Sequence, residues 1–155
     1  MYHRMLVPLD GSELAEVVFT YAKEIAGRLD IDVTLLHVAP SSGKSMNPMQ
    51  QAYITQAAET VKKSAREVQQ EAGISQASEA IKVQGELVGG YPPEEILKYA
   101  EEHDIDLILM AARGHSGLKR WSIGSVASKV LSASKIPVWL VRADHTPDEP
   151  FDTWP

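Results

Sequence analysis

The residues with the clearest chemical potential lie in a basic, glycine-containing loop that follows an apolar run in the last third of the chain. Arg113 begins a basic stretch in this loop, although the chain of 155 residues carries a formal net charge of -6. Gly114 and Gly124 would let main-chain N–H groups approach a ligand closely, and Ser125 opens a helical pattern whose first-turn amides carry partial positive charge. Small residues, local positive charge and a helix start together indicate a site for an anion such as phosphate.

Asp10 is a second candidate, because it follows the apolar run Met5–Leu9 and precedes Gly11. Each candidate also has a simpler interpretation. The loop after Met110 is also typical of a plain strand-to-helix connection with a solvated basic tip, and Asp before Gly is most often a turn residue that bonds its own backbone. The residues alone leave both alternatives open.

Five apolar runs alternate with four amphipathic segments, which predicts alternating strands and helices. The runs with strand character are Met5–Leu9, Val33–Val38, Ile81–Leu87, Ile105–Met110 and Ile136–Val141. Right-handed crossovers then produce an α/β fold: a doubly wound, Rossmann-like, mostly parallel sheet with helices on both faces. The alternation of apolar and polar residues in Ile81–Leu87 further predicts an edge strand.

The helices are predicted from apolar residues at helical spacing. Ser12 is the candidate N-cap of the first helix, Gly73 the expected end of the second, and Pro92 the start of the third. His37 lies between apolar neighbours in the second strand, so we expect a core histidine rather than a ligand. The predicted apolar faces comprise Ala15, Val18, Ala22, Ile25 and Leu29; Ala57, Val61, Ala65, Val68 and Ala72; Ile96, Leu97 and Ala100; and Val126, Val130 and Leu131.

The strand order decides whether the two candidate segments meet. Ligands of such sheets bind beyond the carboxyl ends of the strands, where the strand order reverses. Asp10 follows the first strand and the basic loop follows the fourth. They form one site only if the first and fourth strands are neighbours, which the residues alone do not decide.

Length and composition limit the domain organisation, the binding partners and the cellular location that we expect. The length predicts one domain, residues 1–143, followed by an acidic, proline-rich tail, residues 144–155, in which Phe151 and Trp154 are either incidental or docking aromatics. The pI near 5.3 argues against nucleic-acid binding. No apolar run approaches the roughly 20 residues that a membrane span needs, and the first residues lack the pattern of a secretion signal. We therefore expect a cytoplasmic protein that does not engage a membrane.

The loop that begins at Ala111 has the spacing A-x2-G-x9-G-S. This closely resembles the G-x2-G-x9-G-[S/T] nucleotide-binding signature of the universal stress protein family, and the segments PLDGS, LLHV, DLILM and GSVASKVL are also similar to that family. The departure is Ala111, because ATP-binding members have glycine there. A methyl group at this turn bears on how closely a phosphate can approach.

The resemblance implies the strand order 3-2-1-4-5 and a site for an adenine nucleotide, either ATP or a relative such as AMP or cyclic AMP. In the family, the aspartate matched by Asp10 contacts adenine and ribose, and the residue matched by Val38 packs on adenine. The positions of Gly114, Gly124 and Ser125 hold phosphates. The full set of implied nucleotide-binding residues is Pro8, Leu9, Asp10, Val38, Met110, Ala111, Arg113, Gly114, His115, Gly124, Ser125 and Val126.

The same resemblance implies a homodimer in which the last strand, over Val138–Val141, pairs with its twin across a two-fold axis. An apolar edge strand would otherwise be an aggregation hazard, so the sequence pattern independently favours its being covered.

Binding is favoured over catalysis. The sequence contains no P-loop, no G-x-S-x-G elbow, no H-E-x-x-H motif and no cysteine nucleophile. Asp10, Arg113, His115 and Ser125 are suited to holding phosphates and a ribose rather than to activating water. A divalent ion such as Mg²⁺ or Mn²⁺ would enter with the nucleotide and bridge its phosphates. We therefore favour a dimeric, nucleotide-binding sensor or regulator of the stress response over two alternatives, a nucleotide-free protein-interaction module and a slow ATPase.

Overall fold

A computed structural model describes residues 1–11, 15–40, 47–74, 80–112 and 123–142. Several sequence predictions lie outside the described residues. These are the predictions for Ser12, the side chain of Ala15, Arg113, Gly114, His115, Phe151 and Trp154.

Strands and helices alternate through the described residues, as the apolar runs predict. The elements are β1 (Arg4–Leu9), α1 (Ala15–Leu29), β2 (Asp32–Ala39), α2 (Pro48–Glu71), β3 (Val83–Gly89), α3 (Pro92–Glu102), β4 (Leu107–Ala111), α4 (Ser125–Ala133) and β5 (Val138–Val141). All neighbouring strands are parallel, and their order is β3-β2-β1-β4-β5. This confirms the doubly wound α/β fold and the strand order implied by the resemblance.

Each face of the sheet is covered by one pair of helices. On the first face, Met5 and Val7 of β1 belong to one buried cluster with Val18 of α1 and Ile54 of α2. On the second face, Leu6 of β1 belongs to another cluster, with Ile96 of α3 and Val130 of α4. Successive strand residues point to opposite faces, so the near-continuous apolar strands serve both clusters at once.

Two finer sequence predictions are also confirmed. Within the described residues, β3 pairs with β2 alone, from Val33↔Val83 to Ala39↔Gly89, so it is an edge strand. His37 is buried in β2, with only 8% of its surface exposed.

Leu29 was predicted on the apolar face of α1, and this prediction is wrong: 52% of the residue is exposed. It is the last residue of the helix. Asp30 then adopts a left-handed conformation, with φ of 55°, which turns the chain so that the fully buried Ile31 fills the core position instead.

Two further apolar positions are exposed for reasons of helix geometry. Leu131 is 44% exposed because it lies about 100° around α4 from the fully buried Val130. Ala72 is exposed because it is the C-cap residue of α2 rather than a member of its buried face. Gly73 follows with φ of 67°, the left-handed conformation that ends a helix, as predicted.

The helix starts have specific caps. Asn47 and Gln50 form a capping box at the start of α2, and Pro92 and Pro93 begin α3 with acidic residues in its first turn. In the described ranges, no helix combines the length and apolarity needed to cross a membrane.

Candidate functional site

The strand order reverses between β1 and β4, at the centre of the sheet. In the described part of the chain, the pairing of these two strands ends at Leu6↔Ile108. The outer pairings extend further toward the carboxyl ends, to Leu9↔His37 and to Ala111↔Val141. The segments that follow β1 and β4 therefore start side by side at the carboxyl edge, where ligands of such sheets bind.

The first turn of α4 begins at this same edge. Gly124 is the N-cap residue, and its N–H donates a hydrogen bond of 2.6 Å to the carbonyl of Ala112, directly after β4. No side chain of the described residues caps this turn. The amides of Ser125 and Val126 are first-turn groups without intrahelical acceptors, so the helix start presents donors and partial positive charge there.

An apolar surface lies below the start of α4. Val38 and Met110 are 8% and 5% exposed and belong to one buried cluster, against which Val126 packs. Strand alternation places Pro8 on the same face, because it follows Leu6 of that cluster by two residues. Sequence-predicted residues from three strands and one helix are thus brought together on one face of the sheet.

Leu9 and Ala111 point to the other face. Leu9 is a member of the cluster under α1 and α2, and the methyl group of Ala111 packs against that cluster. The methyl group is therefore directed away from the face that carries α4.

Asp10 lies exposed at the end of β1, and Gly11 follows it with φ of 82°. This left-handed conformation requires glycine or a few tolerant residues, so it fixes the turn that carries the aspartate. Below the turn, Nδ1 of His37 lies 2.9 Å from the carbonyl oxygen of Leu9.

Tyr91 and Lys129 were not singled out from the sequence. Tyr91 is the N-cap residue of α3, just beyond β3, and 48% of it is exposed. The ammonium of Lys129 donates a hydrogen bond to its hydroxyl and lies 5.1 Å from its ring centroid. Lys129 follows Ser125 by one helical turn, so the two share a face of α4. That spacing is the signal that identifies Lys129 in the sequence.

The described residues contain no group of three or more aspartate, glutamate or histidine side chains that could hold a metal ion. Arg113, Gly114 and His115 lie outside the described residues, so the structure does not place them. What the structure does bring together is a row of first-turn amides, a buried apolar surface and an exposed carboxylate. Such a set can hold an anionic group beside a flat, largely apolar one.

Two of the solved structures that share this fold were determined in complex with a nucleotide. One is a universal stress protein in complex with cAMP, with 21% identity and a TM-score of 0.63 over 92% of this chain and 98% of that chain. The other is the universal stress protein from Archaeoglobus fulgidus in complex with dAMP, with 22% identity and a TM-score of 0.61 over 90% and 97%. At these identities the likeness concerns the fold alone.

Sequence comparison identifies the family. The universal stress protein YxiE of Bacillus subtilis is 30% identical over 148 residues, which cover 92% of this chain and 100% of YxiE. The model of the universal stress protein family matches residues 1–142. The chain therefore belongs to the universal stress protein family.

Proposed function

We propose that this chain binds an adenine nucleotide at the carboxyl ends of β1 and β4, with ATP as the first candidate and AMP and cyclic AMP as alternatives. The phosphates would lie at Gly114, Gly124 and Ser125, and the adenosine end at Asp10 and Val38. Two proteins of the same fold were solved with cAMP and with dAMP, which supports an adenine nucleotide as the ligand class.

The conformation of Gly124 is the observation that carries this proposal. Its φ of -59° and ψ of 156° belong to the extended region that any residue adopts. The backbone therefore does not require glycine at this position. A glycine at an uncapped helix start is instead explained by close approach of a phosphate, because a Cβ would separate the anion from the amides.

The neighbouring groups fit the rest of such a ligand. Val38 and Met110 offer a buried apolar surface to the base, and Asp10 offers an exposed carboxylate to ribose hydroxyls. If Mg²⁺ or Mn²⁺ accompanies the nucleotide, we propose that phosphate oxygens and water supply most of its ligands.

We further propose that the protein acts in the cytoplasm as a homodimeric regulator of the stress response. Strand β5 is the edge strand opposite β3, and its Trp139 is 41% exposed. Pairing with a second β5 over Val138–Val141 would cover this apolar edge.

The test is calorimetric titration of nucleotide-stripped protein with ATP and Mg²⁺. Saturation near one nucleotide per chain is expected. Gly124→Val should abolish the binding because its side chain blocks the approach to the helix start. Ala133→Val is the matched control, since it adds bulk at the exposed far end of the same helix and should bind as the wild type does.

Absence of heat, together with a flat thermal shift, would contradict the proposal and favour the nucleotide-free module. Retention of full affinity in Gly124→Val would contradict the placement of the phosphates. A phosphate-release assay run beside the titration addresses slow hydrolysis, for which a rate equal to the buffer blank is expected.

A further inference from the structure

His37 is a buried ionisable side chain at the carboxyl edge to which the proposed function gives no role. It lies near the end of β2 and pairs across the ladder with Leu9, the last residue of β1. Strand alternation directs its ring to the face of α1 and α2, opposite the apolar surface formed by Val38 and Met110. It therefore lies beside the candidate site rather than in it.

The hydrogen bond of the ring fixes its tautomer. Nδ1 lies 2.9 Å from the carbonyl oxygen of Leu9, in a buried position. A carbonyl oxygen can only accept, so Nδ1 must carry the proton and donate it. In the neutral ring the proton is then on Nδ1 and absent from Nε2. The bond ties β2 to the last carbonyl of β1, immediately before Asp10.

The ring also lies close to the turn that follows and packs against α2. A Cβ built on Gly11 would lie 3.9 Å from Cε1 of His37, so the turn is near the ring. On its other side the ring meets Tyr53 of α2 edge to face, with ring centroids 6.0 Å apart and an interplanar angle of 77°. The imidazole thus packs against Tyr53 of α2, is bonded to the Leu9 carbonyl and lies close to the Gly11 turn.

We propose that His37 is a positioning residue: through the Leu9 carbonyl, immediately before Asp10, it holds Asp10 in place for the adenosine end of the nucleotide. The identity of the ligand rests on the proposed function. The ordering of the turn does not, so the two can be tested separately.

Three variants separate positioning from general stability. His37→Leu replaces the imidazole with an apolar side chain of similar size and so removes the Nδ1–H donor. His37→Asn retains an amide donor close to the position of Nδ1. His103→Leu is the matched control, because Nδ1 of His103 makes the same kind of bond, 3.0 Å to the carbonyl of Tyr99, at the end of α3 away from the carboxyl edge.

The first measurement compares ATP with inorganic tripolyphosphate, each with Mg²⁺, by calorimetry. His37→Leu should weaken ATP binding about fivefold to tenfold, as expected for the loss of one hydrogen bond that orders a contact residue. Its affinity for tripolyphosphate should change less than about twofold, because the helix start is untouched. His37→Asn and His103→Leu should bind ATP as the wild type does. Equal losses for both ligands, or no loss for ATP, would overturn the inference.

The second measurement needs no ligand. The ¹⁵N chemical shifts of the neutral His37 ring should show a protonated Nδ1. Backbone order parameters of Asp10 and Gly11 should fall from rigid values near ~0.85 toward ~0.6 in His37→Leu and remain high in His37→Asn. A ring protonated on Nε2, or unchanged order in His37→Leu, would overturn the positioning role whatever the titrations give. If the wild type binds no nucleotide but the turn loses order, the proposed function fails and the positioning role stands.

Discussion

Gly85 of β3 packs directly against the main chain of Ile54 in α2. A Cβ built on Gly85 would lie 2.6 Å from the carbonyl oxygen of Ile54 and 3.0 Å from its carbonyl carbon. Real Cβ atoms do not approach main-chain atoms so closely. The glycine thus sets how near α2 lies to the edge strand of the sheet.

We expect Gly85→Ala to lower the free energy of unfolding by about 1–3 kcal/mol, because the helix must move away from the strand. Urea denaturation gives this difference. Gly89→Ala in the same strand is the matched control, since the nearest atom to its Cβ would be the carbonyl oxygen of Ala39 at 3.9 Å. If Gly85→Ala and Gly89→Ala were equally stable, α2 would move away from β3 at no cost in free energy, and the prediction would be wrong.

Gly27→Ala tests whether packing overrides helix propensity. Alanine in the middle of α1 should add roughly 1 kcal/mol of helix stability. The new Cβ would, however, lie 2.7 Å from the carbonyl oxygen of Ala65 and 2.8 Å from Cβ of Val68 in α2. We expect a net loss of stability in urea denaturation because a main-chain oxygen cannot yield as a side-chain tip can. A net gain would mean that α1 and α2 separate easily.

Ala111→Gly restores the glycine of the family signature. We expect its ATP affinity to stay within about threefold of the wild type, ~0.65 kcal/mol, because the methyl group packs toward α1 and α2 and away from α4. The free energy of unfolding should fall by about 0.5–1 kcal/mol, the usual cost of glycine in a strand. Titration with ATP checks the first effect and thermal unfolding the second. An affinity gain of tenfold or more would show that the methyl group does obstruct the phosphate.

We expect the free energy of unfolding to fall in alkaline solution because the buried Tyr99 phenol ionises there. Burial and, second, the Glu86 carboxylate raise the pKa of the Tyr99 phenol, against the opposing effect of hydrogen bonds with Thr34 and Gln84. Because the folded-state pKa lies above the unfolded value of about 10, the phenol stabilises the fold fully below that pH. The contribution is lost as the pH rises through the folded-state pKa.

Tyr99→Phe, which cannot ionise, is the variant that measures this effect. Urea denaturation from neutral pH to above pH ~10 should show the wild type losing stability relative to Tyr99→Phe as the phenol ionises. A constant difference between wild type and Tyr99→Phe would contradict the prediction.

The sequence predicted the fold well because the apolar runs cover both faces of the sheet at once, and this pattern is specific to parallel sheets between helices. Strand order came only with the resemblance, since no residue in β1 specifies β4 as a neighbour. The close contact of Gly27 with Ala65 could not be predicted for a similar reason. A glycine within a helix indicates flexibility or close packing, and its partner is distant in the chain.

The candidate site was predicted less completely than the fold. Asp10, Val38, Met110 and the start of α4 meet at one edge because β1 and β4 are neighbours, which the motif spacing did not encode. The pairing of Tyr91 with Lys129 joins α3 and α4, which are distant in the chain, so no local pattern reveals the pairing itself. The direction of the Ala111 methyl group follows from strand alternation, and could have been derived from the face of Met110 beside it.

The segment 113–123 is closed at its base by the bond between the Ala112 carbonyl and the Gly124 amide. Ala112 is itself anchored, since its amide donates 2.8 Å to the carbonyl of Val141. Both bonds are main chain to main chain, so they do not depend on which side chains occupy the segment. Substitutions between these two anchors should therefore leave the strand end and the helix start in place.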